Sequence, residues 1–309
     1  MQPPTDLARR DRRIGYACAI ALLFVWAGFL LSSRLGARQA IPAWDLAALR
    51  FAGSCLAALP LVAFFGWPRL PWRQGVLVMA TAAFGFPLFT FFGVSFAPAA
   101  HGAVLLSGVL PFMTAALAWA VLGEAWSRRR VASLAVVACG IGLLAAATFG
   151  DHPGAWRGDV LFLCATLSWA IYTTAVRQWG IGPAQGTLAI ALWAGPIYLP
   201  LWWVFSPTGL ADIPFGQALY HFLFQGVFAV LVAGFLFLRA VKSIGAVRTT
   251  AITALVPGVS SLAAWPLLGE PLAPLGIVGV GLVTLGMVIA VTQKAAPAAP
   301  RVDRMGPRP

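Results

Sequence analysis

The stretch Pro111–Glu124, PFMTAALAWAVLGE, returns as Pro257–Glu270, PGVSSLAAWPLLGE. Each opens on proline and closes on Gly-Glu, and sixteen residues past each glutamate stands another glycine, Gly140 or Gly286. Upstream, Trp26-Ala27 followed by Arg34 has the spacing of Trp169-Ala170 followed by Arg177. The offset is 143 residues at the first marker and 146 at the last, so one unit is written twice with a small indel between.

An apolar run of about 20 residues crosses the hydrocarbon core as a helix. Such runs lie at 15–33, 44–66, 75–97, 99–122, 130–149, 159–178, 184–205, 217–238, 247–268 and 272–292. Five spans per copy is an odd number, so the second copy enters the membrane from the opposite side. The expected fold is therefore an all-α membrane protein, ten transmembrane helices as two inverted-topology five-helix repeats. Residues 15–149 form the first repeat and 150–292 the second, with a cytoplasmic tail at 1–14 and a disordered, Ala- and Pro-rich cytoplasmic tail at 293–309. Inverted repeats are the architecture of alternating-access transporters, with cargo held near the midplane between the halves.

Composition agrees: 60% apolar and 10% charged residues, with a mean hydropathy of +0.86, exclude a soluble enzyme, a disordered chain and a coiled coil. A net charge of +12 would suggest nucleic acid in a soluble domain, but here location decides. Of the 21 Lys and Arg, only Arg34, Arg38 and Arg157 fall on the side opposite the N-terminus; Arg50 lies within a span and all others on the N-terminal side. The positive-inside rule then puts both termini in the cytoplasm, with the bilayer and not nucleic acid as partner. The first span is too long for a signal peptide's apolar core and lacks a cleavage site. Cys18, Cys55, Cys139 and Cys164 have no paired spacing and read as small buried hydrophobes, and no metal or cofactor is expected.

The segment from Phe84 through Pro98 to Pro111 and Val121-Leu122-Gly123-Glu124 resembles the first EamA repeat of the drug/metabolite transporter (DMT) superfamily. That from Leu238 through Pro257 to Gly269-Glu270-Pro271 and on to Gly286 resembles the second, and Leu46–Phe51 is similar to the family's second-helix stretch with its embedded arginine. The resemblance covers about residues 15–292. It implies an inner-membrane exporter of amino acids, related small metabolites or toxic compounds, with a central cavity shared by both halves.

A proline within a helix frees the carbonyl four residues earlier, here at Ser107 for Pro111 and Thr253 for Pro257. Either these are plain kinks with each hydroxyl bonded to its own helix, or they form a polar notch that holds substrate, kept open by Gly108 and Gly258. Trp26 and Trp169 fall at mid-depth, where tryptophan is unusual. They fill helix contacts or offer π faces to an ammonium or a ring, and Tyr172 shares a face with Trp169. Arg50 either snorkels or meets a carboxylate; Asp45 is five residues away and badly placed round the helix to pair with it. Gln225, one turn deeper than His221, is a further cavity residue. Glu124 and Glu270 follow helix-ending glycines and read as structural caps of the next helix, with Pro271 as its first residue. His101 and His221 read as interfacial hydrogen-bonding groups, and Trp119 as interfacial. The small residues of the fifth and tenth spans (Ala138, Gly142; Gly276, Gly279, Gly286) suit packing at the periphery or against a second protomer in a homodimer.

A nucleotide-sugar or lipid-carrier translocator is the alternative within the same class, and only Arg50 stands ready for its charge. An intramembrane enzyme would need a nucleophile–base pair or metal ligands at depth; a non-transport scaffold contradicts no residue.

Overall fold

The computed structural model describes residues 6–123, 128–148, 153–206, 210–244, 246–253 and 255–291. Among them the fold is all-helical. Twelve helical segments follow in order: α1 (Asp6–Arg38), α2 (Ala43–Phe65), α3 (Trp72–Phe96), α4 (Ala99–Gly108), α5 (Leu110–Leu122), α6 (Arg128–Thr148), α7 (Trp156–Trp179), α8 (Pro183–Phe205), α9 (Phe215–Ile244), α10 (Ala246–Thr253), α11 (Val256–Leu268) and α12 (Pro274–Val291).

Among the described residues seven stretches are long and apolar enough to cross a membrane: Arg9–Arg38, Ala43–Phe65, Trp72–Phe96, Ala99–Leu122 (α4 and α5 together), Trp156–Trp179, Ala184–Phe205 and Phe215–Ile244. Shorter apolar helices occupy Val131–Leu144, Val256–Leu268 and Pro274–Ile289. The surface is that of a membrane protein. Phe64, Trp203, Val204 and Phe205 stand exposed, while Ala, Gly, Ser and Thr crowd the interior. In lipid, apolar side chains gain little by turning inward, and small residues let backbones approach.

Local sequence explains where helices stop. Gly123, Gly180 and Gly269 take left-handed backbone at the ends of α5, α7 and α11, the cap for which glycine has no steric penalty. Pro111 and Pro257 each sit in the first turn of α5 and α11, after a break at Val109 and at Leu255. At each proline the regular helical bonding lapses for a turn, while Val109 and Leu255 keep right-handed backbone angles. A feature not expected from the sequence lies in α3 and α9. Each contains a π-helical stretch, Met79–Gly85 and Phe222–Val232, and an offset of 146 residues superposes the two. The helix α1 also runs on through Arg9–Arg13 of the expected N-terminal tail, where Asp11 accepts from Arg239 Nη2 at 2.7 Å.

Packing between the chain halves, α1–α6 and α7–α12, is reciprocal. Helix α1 lies along the end of α9 as α7 lies along α3; α1 touches α10 and α11 as α7 touches α4 and α5; α2 meets α9 as α8 meets α3. The tightest pair is α6 with α12. A Cβ on Gly140 would come 2.6 Å from the Gly279 carbonyl oxygen, and one on Gly279 2.7 Å from that of Gly140. Gly286 is closed off by Ser133 and Val137 in the same way. The fifth and tenth apolar segments therefore use Gly140, Gly279 and Gly286 on each other, while Ala138 and Gly142 of the small residues singled out in the sequence lie exposed on the outer face. Of the cysteines, all free, Cys139 is exposed, contrary to the expected burial, because it lies on the face of α6 turned away from α12.

Candidate functional site

Rings form a continuous row across three helices. Tyr172 and Trp169 of α7 stand 5.1 Å apart, Trp169 and Phe86 of α3 5.0 Å, Phe86 and Phe29 of α1 5.7 Å. The row ends at Arg50 of α2, whose guanidinium carbon lies 5.0 Å over the Phe29 ring. Trp26, one turn before Phe29, stacks on Phe237 of α9 at 6.1 Å. Each of the two matched tryptophans thus lies against the third long helix of the other half. All three, Trp26, Trp169 and Tyr172, are only partly buried.

Around Arg50 is a buried polar cluster. Arg50 is 7% exposed, so it does not snorkel; its Nη1 donates to the Gln225 carbonyl oxygen at 3.0 Å. That carbonyl belongs to the π-helical stretch of α9, where the regular i→i−4 bonding is interrupted. Gln225 is fully buried, and its Nε2 donates to Ser33 Oγ at 3.1 Å and the Phe29 carbonyl at 3.4 Å. Its Oε1 has no partner. His221, also fully buried, lies 3.0 Å from Gln39 Oε1 through Nε2 and 3.4 Å from Ser32 Oγ through Nδ1. It hydrogen-bonds as expected, with both partners inside the bundle near the end of α1.

The helix breaks lie elsewhere. The Ser107 side chain lies outside the described residues, so the paired notch is seen from one side only. Thr253 is buried. The surfaces of Gly108 and Gly258 are taken by α12: a Cβ there would meet Val283 at 3.0 Å and Thr284 at 3.1 Å. Their smallness serves a helix contact. Next to the first break, the single hydroxyl proton of Thr166 in α7 is shared between the Phe162 carbonyl of its own helix at 2.8 Å and the Leu105 carbonyl at 2.9 Å.

One end of the bundle, which carries residues 38–43, 96–99, 210–215 and 268–274, is tied shut. Arg34 donates to Glu270 Oε1 at 2.7 Å and to the Val94 carbonyl at 2.6 Å, while Glu270 Oε2 accepts from the Ala99 amide at 3.0 Å. His101 Nδ1 meets Asp159 Oδ1 at 2.8 Å, Trp202 Nε1 donates to Asp45 at 2.7 Å, and Tyr198 donates to the Trp44 carbonyl at 3.0 Å. With the His221 contacts, all of these except the bond from Arg34 to the Val94 carbonyl join one chain half to the other. Glu270 therefore caps α4 of the first half. The expected cap on the following helix is not formed, because α12 begins only at Pro274 and Pro271 stays outside it. Glu124 lies outside the described residues. At the opposite end the Arg239–Asp11 pair also crosses between halves, with side chains 38% and 47% exposed. Packing is asymmetric in the same sense: among the described residues α4 closes on α11, whereas α10 and α5, their counterparts at the other end, make no comparable contact.

Sequence reasoning missed Ser32, Ser33, Gln39, Phe29, Phe86, Asp159, Thr166 and Trp202. The signal was present for the first group: Phe29, Ser32 and Ser33 share a helical face through i, i+3, i+4 spacing. The partners of Asp159 and Trp202 are set by tertiary structure alone.

Comparison with known proteins agrees with this architecture. A probable amino-acid metabolite efflux pump of Salmonella typhimurium is 26% identical over 300 residues, covering 91% of this chain and 95% of its own. The uncharacterized transporter YyaM of Bacillus subtilis is 26% identical over 216 residues, 67% of this chain and 69% of its own. A crystal structure 17% identical in sequence superposes with a TM-score of 0.64, covering 91% of this chain and 96% of the other, and shares the fold. Residues 13–146 and 156–292 each match one family, so this chain, a membrane protein built of two related halves, belongs to the EamA-like transporter family.

Proposed function

We propose that the protein is a secondary transporter of the inner membrane that exports amino acids or related small metabolites. In this reading ten membrane-crossing segments form two inverted five-helix repeats that rock about a shared cavity. Both termini are cytoplasmic, which the Lys and Arg distribution supports. The observation that carries the reading is the asymmetry between the ends among the described residues: α4 closes on α11 at one end, where part-buried side-chain ties join the halves, whereas α5 and α10 make no comparable contact at the other, where the Arg239–Asp11 pair and a bond from Gln185 Nε2 to the Arg69 carbonyl join them. With the termini cytoplasmic, the tied end is extracytoplasmic and the conformation is closed to the outside. Export and amino-acid cargo draw on the name of the Salmonella relative. Trp26, Trp169 and Tyr172 form the cavity's aromatic wall, and the breaks at Ser107–Pro111 and Thr253–Pro257 with the two π stretches let helices bend.

A lipid-carrier translocator would draw on the lateral groove of about 510 Å³ between α3 and α8, lined by Trp72, Met79, Phe84 and Trp193. Its lining carries no charge to meet an anionic headgroup, which favours the first reading. The test is counterflow in liposomes preloaded with a mixed amino-acid pool and probed with single labelled amino acids. Uptake of a subset is expected, with Trp26→Ala and Trp169→Ala raising KM about 2- to 30-fold, the range of a lost cation–π or stacking contact. Uptake of none by folded protein would sink the amino-acid reading.

A further inference from the structure

We infer that Arg50 and Gln225 together form a head-group subsite for a zwitterion, Arg50 taking a carboxylate and the Gln225 side-chain oxygen taking the ammonium of one ligand. The inference rests on the transporter reading above and deepens it by naming the charges its cargo must carry.

Arg50 has five N–H donors, and the bond from Nη1 to the Gln225 carbonyl uses one of them. Its other close contact is the Phe29 ring. Among the described residues no carboxylate pairs with it. Asp45, on the same helix, is engaged by Trp202 Nε1 at 2.7 Å. A guanidinium held at 7% exposure in the bundle without a counter-charge is strongly disfavoured unless something anionic joins it. The positive fork fits a carboxylate's two oxygens.

Gln225 offers the complementary group. Ser33 Oγ gives its proton to the Phe29 carbonyl at 2.6 Å, so toward Gln225 it accepts. The amide nitrogen must then point to Ser33 and the Phe29 carbonyl, which leaves Oε1 as a fully buried acceptor with no partner. Leaving such an oxygen bare forfeits its hydration with no bond in return. An unmatched cation and an unmatched acceptor on neighbouring groups, the first bonded to the backbone of the second, answer to a molecule with an anion and a donor cation close together. An α-amino acid has that head, and from Phe29 the ring row through Phe86 to Trp169 leads its side chain away over apolar surface.

The subsite is asymmetric: the repeat offset places Trp193 opposite Arg50 and Met79 opposite Gln225. One head group is therefore bound per transporter, with one orientation.

The experiment measures counterflow of each labelled amino acid by the full chain in liposomes, then competition by the amide and the N-acetyl derivative of the one exchanged fastest. The amide lacks the carboxylate and the N-acetyl form lacks the ammonium, so neither should compete. Arg50→Gln should raise KM about 10- to 100-fold, the loss of a charge-assisted pair. Arg50→Lys should recover part of it, and Gln225→Met should raise KM with less change in kcat. Ligand-induced thermal shift in detergent reports binding for any variant that inserts but exchanges slowly: wild type should shift with the amino acid and Arg50→Gln should not. An amide that competes as well as the acid, or Arg50→Gln with wild-type KM and thermal shift, overturns the subsite while the transporter stands. A wild type that exchanges no amino acid overturns both.

Discussion

Glu270 accepts from Arg34 with one carboxylate oxygen and from the Ala99 amide with the other, so one side chain of the second half holds both α1 and the start of α4 in the first. Both partners of the ion pair are mostly shielded, at 20% and 16% exposure, where such a pair is screened less than on a surface. Removing one partner leaves the other charge under-satisfied, and the amide of Ala99 loses its cap. Glu270→Gln and Arg34→Gln should each lower unfolding stability in detergent by about 1–3 kcal/mol. The double variant should cost less than their sum, with a coupling of about 0.5–3 kcal/mol. Additive effects would show that the 2.7 Å contact carries no energy.

The elements are shaped by proline and glycine. Pro111 and Pro257 start α5 and α11 after breaks in the helical bonding, and the π stretches of α3 and α9 place a second irregularity in each half. If these are the bending points, Pro111→Ala and Pro257→Ala should restore backbone bonding, raise thermal stability and slow counterflow; faster exchange by both would contradict that role. The α6–α12 seam gives a sharper contrast. Gly279→Val places a Cβ against the Gly140 carbonyl at 2.7 Å and should destabilise by about 1–3 kcal/mol as the helices are forced apart. Gly142→Val, on the same seam helix but facing open space, should be tolerated. Thermal unfolding of both separates a packed seam from a merely glycine-rich one.

At the scale of the molecule, the ties at one end predict a conformational bias. Leu31 is 8% exposed beneath them and packs on Ala99, Ala264 and Leu268. In a background with the four cysteines replaced, Leu31→Cys should react slowly with a membrane-impermeant maleimide added outside. Adding Glu270→Gln and His101→Ala should speed labelling several-fold by releasing two of the ties. Labelling that stays equally slow would mean the closed end does not depend on them.

Repetition, spacing and hydropathy determined much: helical class, a duplicated unit, membrane residence, the glycine stops at Gly123 and Gly269. These are local or periodic properties, written in residues a few positions apart. The aromatic positions Trp169 and Tyr172 were legible for the same reason, since one helix brings them together whatever surrounds it. Other readings depended on what stood opposite. That Glu270 caps α4 and not its own next helix, that α6 and α12 spend their glycines on each other, and that the oxygen of Gln225 is left bare beside Arg50 are facts about contacts between distant segments. The same glycine stripe packs equally well against a neighbour within the chain or another copy, and a buried cation is paired or unpaired according to helices far away in sequence. Only the tertiary structure chooses, because close approach and charge compensation are properties of pairs of surfaces and not of either one alone.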